Sequence, residues 1–214
     1  MKTVLVTGAS RGLGRAIAET FAAGGYDTIG VARSVCEIPG VRTVQLDVCD
    51  EAAVTELIGS LETLDVVVNN AGIARLRPLL ETPTTDLREI LEVNVIGAFV
   101  VMREAARRMA THGGGLIINI ASDAALKGIA NMAPYAASKH ALLGLARSVS
   151  AELRGQGVRV CTYCPGPIDT GILGPASKNP QALQPADIAR TIVHLAELPA
   201  GMDIQEMLVE PMGM

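Results

Sequence analysis

The sequence predicts a doubly wound α/β fold, in which a parallel sheet of about seven strands is flanked by helices. Strand-like and helix-like segments alternate strictly along the 214 residues, and such alternation is typical of parallel sheets. The strand-like segments are short, continuous apolar runs, as strands buried on both faces require. The length is that of one domain with a sizeable core, so we predict a single domain over residues 1–214.

A strand, a glycine-rich turn, a helix and a second strand follow one another at the start of the chain. Residues 2–7 form the first apolar run, the turn is Gly8-Ala-Ser-Arg-Gly-Leu-Gly14, and the helix pattern of 15–23 ends at Gly24-Gly25. Residues 27–32 form the second run. Glycines in such a turn let the backbone approach a pyrophosphate at the helix N-terminus. The spacing G-x-x-x-G-x-G, set between two strands, therefore predicts a dinucleotide site.

The middle and the end of the chain continue the alternation. Further strand patterns are found at 43–47, 64–69, 116–121, 158–163 and 206–209. Further helix patterns are found at 51–61, 86–109, 136–153 and 185–198. Pro134 suits the first turn of the third of these helices, because no helical hydrogen bond is lost there. Residues 171–184 are predicted to form a loop.

Polar and glycine-containing segments follow the predicted strands, at the edge where such sheets bind ligands. These segments are the glycine turn after the first strand, Asp47 at the end of the third, Asn69-Asn70-Ala71-Gly72 after the fourth, Ser122 after the fifth and Pro165-Gly-Pro-Ile-Asp-Thr170 after the sixth. We therefore expect them to form one site.

Tyr135 and Lys139 are four residues apart on a predicted helix, so they share one of its faces. A free tyrosine has a pKa near ~10, and a nearby cation lowers that pKa by favouring the phenolate. Tyr135 could then give a proton to a carbonyl oxygen or take one from an alcohol, while the Ser122 hydroxyl holds the same oxygen. Tyr-x-x-x-Lys is a common spacing, and only its place near the predicted site favours the catalytic interpretation.

Composition and charge argue against several classes of protein. The net charge is −4 without clusters of Lys and Arg, and aromatic residues make up 2% with no Trp, so nothing indicates a nucleic-acid partner. No apolar run reaches the roughly 18 residues of a membrane helix, and the N-terminal run is too short for a signal peptide. We expect a cytoplasmic protein without a membrane partner.

The four cysteines are Cys36, Cys49, Cys161 and Cys164. The C-x-x-C spacing of the last two could indicate redox chemistry or half of a metal site. They lie in or just after a strand pattern, however, and neither a second ligand pair nor a histidine cluster accompanies them. We expect free thiols and no metal site.

Five motifs in order resemble those of the short-chain dehydrogenase/reductase family. They are Thr7-Gly8-x-x-x-Gly12-x-Gly14, Asn69-Asn70-Ala71-Gly72, Ser122, Tyr135-x-x-x-Lys139 and Pro165-Gly166. The resemblance covers nearly the whole chain. It implies a Rossmann fold, a nicotinamide cofactor, a small-molecule carbonyl or alcohol substrate, and a homodimer or homotetramer. Segments 105–109, 141–145 and 207–212 offer apolar residues for such assembly.

The resemblance also implies a catalytic set of Ser122, Tyr135, Lys139 and Asn94. Ser122 and Tyr135 would bind the reacting oxygen, Lys139 would bind the cofactor ribose and lower the pKa of Tyr135, and Asn94 would hold a proton-relaying water. Asn94 could instead be a polar residue on a helix face. The implied cofactor-binding set is Gly8, Ser10, Arg11, Gly12, Leu13, Gly14, Arg33, Asp47, Val48, Asn70, Ala71, Gly72, Tyr135, Lys139, Pro165, Gly166, Ile168 and Thr170.

Some of these positions also have purely structural interpretations. Asn70 could brace the turn after the fourth strand, Asp47 could pair with a structural partner, and Thr170 could cap a helix. The loop residues Asp123, Lys127 and Asn131 could line a substrate pocket or be solvated. Their roles stay open at the level of the sequence.

Two segments are shorter than in relatives of this family. The link from Arg33 to Val41 leaves no room for the usual helix between the second and third strands. The segment after Thr170 is also short, which predicts an open substrate site.

The end of the second strand favours NADP(H) over NAD(H). An NAD site of this fold has a carboxylate there for the ribose 2′-hydroxyl, whereas this strand runs into Arg33 and Asp27 stands at its start. Arg33 offers a planar cation suited to a phosphate, and Arg11 offers a second one nearby. Either arginine could instead be a solvated surface residue.

Two other functions remain open from the sequence. One is an epimerase or dehydratase of the same fold, which needs a large C-terminal substrate domain that 214 residues do not accommodate. The other is a cofactor-binding regulator without catalysis, which would not need Ser122, Tyr135 and Lys139 together.

Overall fold

The computed structural model describes residues 1–173 and 181–212. It confirms the predicted fold, because seven strands form one fully parallel sheet in the order β3-β2-β1-β4-β5-β6-β7. The strands are β1 (Thr3–Thr7), β2 (Asp27–Ala32), β3 (Val41–Gln45), β4 (Val66–Asn69), β5 (Gly115–Ile120), β6 (Val158–Pro165) and β7 (Glu206–Val209). The winding direction reverses between β1 and β4, and such folds bind ligands at the carboxyl ends of these strands.

Six α-helices in the described ranges cover the two faces of the sheet. They are α1 (Gly12–Ala23), α2 (Glu51–Ser60), α3 (Thr84–Leu91), α4 (Ala98–Thr111), α5 (Ala133–Leu153) and α6 (Pro185–Glu197). The core is divided by the sheet, because successive side chains of a strand point to opposite faces. Val4 and Val6 pack in the half of the core that contains α1 and α6, whereas Leu5 packs in the half that contains α2 and α4.

The link between β2 and β3 contains no helix, as predicted. Residues 34–40 form bends and a turn, and Ile38 fills part of the core with only 5% of its surface exposed. β3 covers Val41–Gln45 and therefore lies two residues earlier than the predicted strand at 43–47. After Gln45, the Leu46 N–H still donates to the Ala32 carbonyl at 2.8 Å, and the Asp47 carbonyl then accepts the Asp50 N–H at 3.0 Å where the chain turns toward α2.

The long helix predicted at 86–109 is found, but it is longer than predicted and contains a π-helical segment that the sequence did not predict. α3 begins at Thr84, α4 ends at Thr111, and a π-helical segment, Glu92–Gly97, separates them. This segment contains Asn94, whose side chain bonds the backbone of Ile73 in a different part of the chain. Such segments inside helices are frequent at functional sites.

The described residues contain no helix long and apolar enough to span a bilayer. All four cysteines are free thiols. Within the described ranges, no group of three or more His, Cys, Asp and Glu side chains is placed to hold a metal ion.

Candidate active site

One cavity of about 1040 Å³ lies at the carboxyl ends of the strands. Every residue that the sequence assigned to the cofactor lines it, and Ser122 does so as well. Asn94 is the one predicted site residue that is not on its described wall. The cavity is large enough for a dinucleotide and joins the glycine turn to Tyr135 in one continuous space.

The glycine turn after β1 forms a wall on which the backbone itself is exposed. Gly8 and Gly12 have φ angles of +69° and +56°, a region that favours glycine. A Cβ atom on Gly14 would lie 2.3 Å from the Gly8 carbonyl oxygen, so a side chain there would displace the turn. α1 begins at Gly12, and its first residues line the cavity with their unpaired amide groups. This cradle suits an anionic pyrophosphate.

The turn after β4 is tied to the end of β1. Thr7 Oγ1 accepts hydrogen bonds from the backbone N–H groups of Asn70 and Ala71, both at 3.0 Å, and Asn70 Nδ2 donates to the Thr7 carbonyl at 2.9 Å. Asn70 therefore braces this turn and also lines the cavity. The two strands beside the reversal are held together where the ligand site lies.

Arg11 and Arg33 are exposed and line the cavity near the ends of β1 and β2. In the described ranges, neither guanidinium forms an ion pair or a side-chain hydrogen bond. Asp47 is also exposed on this wall, and its Oδ1 accepts the Cys49 N–H at 3.1 Å. Two cations thus face a part of the cavity where no carboxylate directly follows β2.

Tyr135 and Lys139 lie near the start of α5, with Lys139 Nζ 5.5 Å from the centre of the Tyr135 ring. In the protein alone the pKa of Tyr135 lies above its ordinary value, and its lowering by Lys139 stays a prediction. Burial raises the pKa of Tyr135 to about 12; its contact with Ser122 opposes this shift and the charge of Asp123 adds to it. Burial also lowers the pKa of Lys139 to about 8, and its Nζ donates to the Ile120 carbonyl at 2.8 Å.

Ser122 follows β5 and is almost fully buried. Its Oγ–H donates to Asp123 Oδ1 at 2.8 Å, and its Oγ accepts the Ala124 N–H at 3.1 Å. Asp123 lines the cavity, as the sequence allowed, whereas Lys127 and Asn131 are not on the described wall. Lys127 instead forms an ion pair with Asp123 at 3.1 Å.

Asn94 is buried, with 1% of its surface exposed, behind the cavity wall. Its Oδ1 accepts the Ile73 N–H at 2.8 Å, and its Nδ2 donates to the Ile73 carbonyl at 2.9 Å and to Ser138 Oγ at 3.0 Å. Ser138 Oγ in turn donates to the Tyr135 carbonyl at 2.7 Å. Asn94 therefore connects the segment after β4 to the helix that contains Tyr135.

The sequence did not identify the apolar part of the wall. This part includes Ile73, Ala74, Val93, Ile129 and Met132. Isolated aliphatic residues carry no chemical motif, although Ile73 and Ala74 directly follow the Asn-Asn-Ala-Gly motif and could have been placed from it. The segment after Thr170 was predicted to leave the site open, and residues 174–180 of that segment lie outside the described residues.

Comparison with known proteins identifies the class to which this fold and site belong. The family model of the short chain dehydrogenases matches residues 2–181. The chain therefore belongs to the short-chain dehydrogenase/reductase family and is an oxidoreductase acting on alcohol or ketone groups.

Three relatives illustrate the breadth of this family. An L-2,3-butanediol dehydrogenase of Corynebacterium glutamicum is 36% identical over 80% of this chain and 73% of its own length. A 3-oxoacyl-(acyl-carrier-protein) reductase of Escherichia coli strain K12 is 34% identical over 94% of this chain and 83% of its own. The structure of an alcohol dehydrogenase from the archaeon Thermococcus sibiricus, complexed with 5-hydroxy-NADP, has a TM-score of 0.90 at 29% identity, covering 100% of this chain and 98% of that one.

Proposed function

We propose that this protein is an NADPH-dependent carbonyl reductase or alcohol dehydrogenase that interconverts a ketone and a secondary alcohol. The observation that carries the proposal is the meeting of Ser122, Tyr135 and Lys139 on the wall of the cavity that also contains the glycine cradle. A cofactor site and an acid–base pair in one space are what hydride transfer to a carbonyl requires. We assign both to one domain, residues 1–214.

The cavity suits a nicotinamide dinucleotide, which supplies or accepts the hydride when it is bound. The turn from Gly8 to Gly14 would hold the pyrophosphate, and Asp47 with Val48 would contact the adenine. Lys139 would bind the ribose next to the nicotinamide, and Thr170 would bind the nicotinamide amide. The remaining predicted cofactor residues would complete the wall.

Tyr135 would be the proton donor and acceptor. A pKa of about 12 keeps its hydroxyl protonated at neutral pH, so it can donate a hydrogen bond to a carbonyl oxygen and then release the proton as that oxygen becomes an alkoxide. In the reverse direction, a charged Lys139 near the ring stabilises the phenolate that accepts the alcohol proton. Asn94 would support the site by holding Ile73 and a proton-relaying water.

Arg11 and Arg33 would select NADPH by binding its 2′-phosphate. Two charge-assisted contacts of ~1.5–3 kcal/mol each favour NADPH over NADH by on the order of a hundredfold or more. We expect Arg33→Ala to lower kcat/KM for NADPH by about tenfold or more and to leave kcat/KM for NADH unchanged. Arg42→Ala, which removes an exposed arginine of β3 outside the cavity wall, is the matched control. Equal use of both cofactors by the wild type would contradict the assignment.

Substrates of modest size suit this site best. The apolar wall of Ile73, Ala74, Ile129 and Met132 favours a ketone or alcohol with a small hydrocarbon body. The relatives that act on 2,3-butanediol and on 3-oxoacyl groups support a carbonyl or a secondary alcohol as the reacting group.

The decisive experiment is a substrate panel with the purified protein. Ketones, aldehydes, sugars and β-ketoacyl thioester analogues are incubated with NADPH, and the loss of NADPH absorbance is followed. We expect turnover of several small ketones with weak KM values. Tight NADPH binding without turnover of any member would instead support a cofactor-binding regulator. Isomerisation of a nucleotide sugar without net NADPH consumption would support an epimerase.

A further inference from the structure

Asp123 connects the proposed catalytic serine to a cation outside the site. Its side chain lines the cavity and is 7% exposed. Oδ1 accepts the Ser122 hydroxyl proton at 2.8 Å, and Oδ2 lies 3.1 Å from Lys127 Nζ. Lys127 Nζ also lies 3.0 Å from Glu210 Oε1, just after β7. A polar chain thus runs from the C-terminal segment to Ser122.

The direction of the hydrogen bond between Ser122 and Asp123 follows from the chemistry of the two groups. A carboxylate paired with an ammonium has only acceptor sites, so Ser122 must donate its single proton. One of the two lone pairs of Ser122 Oγ already accepts the Ala124 N–H at 3.1 Å. The second lone pair contacts Tyr135 in the protein alone, and it is the acceptor that Ser122 offers to the reacting oxygen when a substrate enters between the two groups.

Tyr135 supplies the complementary group. Burial, and to a lesser extent the charge of Asp123, raise the pKa of Tyr135 against the opposing effect of Ser122, so the phenol keeps its proton and stays a donor. The site then offers one donor from Tyr135 and one acceptor from Ser122. An alcohol hydroxyl both donates and accepts, so it can bond Ser122 and Tyr135 together. A ketone oxygen only accepts, so a lone pair of the ketone would face the lone pair of Ser122 without a hydrogen bond.

We propose that Asp123 is a positioning residue that turns the Ser122 proton away from the reacting oxygen and makes the site bind the alcohol more tightly than the ketone. The inference rests on the proposed function and specifies which of its two ligands that site favours. Asp123 acts through Ser122 and is not itself a catalytic residue.

Asp123→Asn reverses the hydrogen bond without changing the shape of the side chain. Lys127 is a donor only, so it orients the amide oxygen of the variant toward itself and leaves Nδ2 facing Ser122. Nδ2 then donates to Ser122 Oγ, and the Ser122 proton becomes free to bond a ketone oxygen. Asp123→Ala is the second variant, because removing the acceptor also frees that proton.

The measurement is the affinity of two matched probes for complexes that cannot react. Cyclohexanone is titrated into the enzyme loaded with NADP⁺, and cyclohexanol into the enzyme loaded with NADPH, by calorimetry. In the wild type we expect cyclohexanol to bind more tightly. In both variants the Kd of cyclohexanone should fall by about fivefold to tenfold, the value of one hydrogen bond, while that of cyclohexanol does not fall.

A matched control and the opposing outcomes make the test decisive. Asp203→Asn removes the same charge and breaks a similar ion pair, with Arg154 at 3.0 Å, at the amino-terminal side of β7 and away from the cavity, so it should leave both affinities unchanged. An unchanged ratio of the two affinities in both Asp123 variants, or an equal weakening of both probes, would overturn the inference alone. Failure of both probes to bind the loaded wild-type enzyme would overturn the proposed function and the inference with it.

Discussion

Burial determines the charge state of Tyr135 and Lys139 more strongly than their mutual contact does. Desolvation disfavours the charged form of each group, which is why the pKa of Tyr135 rises and the pKa of Lys139 falls. The two side chains are neighbours, as the i, i+4 spacing predicted. The sequence could not give the sign of the shift, because the spacing contains no information about how much water surrounds the pair.

Tyr135→Phe removes only the proposed proton donor. We expect kcat to fall by about a hundredfold or more, as for the loss of a general acid, while the Kd for NADPH changes by less than about fivefold. Tyr26→Phe is the matched control, because Tyr26 packs edge-to-face on Phe21 and lies outside the cavity wall. A kcat near that of the wild type in Tyr135→Phe would refute the assigned role.

Lys139→Met should change how stability depends on pH. The pKa of Lys139 is about 8 in the folded protein and 10.5 as the ordinary value, so between these values the unfolded chain binds more protons and wild-type stability rises with pH. Below about pH 8 the buried charge of Lys139 lowers the free energy of unfolding, and this destabilisation disappears above about pH 10.5. The Lys139→Met variant has no charge at this position and so lacks the destabilisation.

The measurement is the free energy of unfolding in urea, without cofactor, at a series of pH values. The free energy of unfolding of Lys139→Met minus that of the wild type should decrease as the pH rises through this window. The loss of the hydrogen bond to the Ile120 carbonyl adds a constant offset, so only the slope is diagnostic. Lys2→Met, at an exposed lysine, should give a flat difference, and a flat difference for Lys139→Met as well would contradict the buried-charge account.

At the scale of the elements, the sequence pattern correctly predicted the features that depend only on the residues within one segment. The strands β1, β2, β4, β5, β6 and β7 and the glycine turn were found close to their predicted places, because apolar runs and glycines are properties of the segment itself. The strand β3 was placed two residues too late. The π-helical segment at Glu92–Gly97 was missed, because its Asn94 bonds the backbone of Ile73 outside the helix pattern. The polar chain through Asp123 was missed for the same reason, since Lys127 and Glu210 are far apart in sequence.

Asn94→Ala tests the contact that connects the π-helical segment to the site. The variant leaves the Ile73 N–H and the Ile73 carbonyl without their side-chain partner and removes the hydrogen bond that Ser138 Oγ accepts, so we expect a loss of about 2–4 kcal/mol in the free energy of unfolding. Thr55→Ala, an exposed truncation on α2, should cost less than about 0.5 kcal/mol. Equal, small losses in urea unfolding for both variants would show that Asn94 does not brace this segment.

At the scale of the whole molecule, the burial of side chains shows which of the apolar segments can form an interface between copies. Of the apolar segments chosen from the sequence, 105–109 and 141–145 contribute mainly to the core, since Ala105, Met109, Leu142 and Leu143 are buried. Residues 207–212 do present apolar surface, with Leu208 50% exposed. They include most of β7, which is an edge strand and has no neighbour on its outer side within the described residues. An uncovered apolar edge of this kind favours pairing with another chain.

We therefore expect a dimer or tetramer in which β7 lies at a contact between copies. Static light scattering at micromolar concentration should give a mass above that of one chain, 22.3 kDa. Leu208→Glu should shift the mass toward the monomer, because a charge would be buried in the contact without a partner, while a side chain half exposed in the monomer tolerates the change. Val35→Glu, at a 79% exposed residue of the link before the opposite edge strand, should leave the mass unchanged. A wild-type monomer would refute assembly itself, and an unshifted mass in Leu208→Glu would place the contact on another surface.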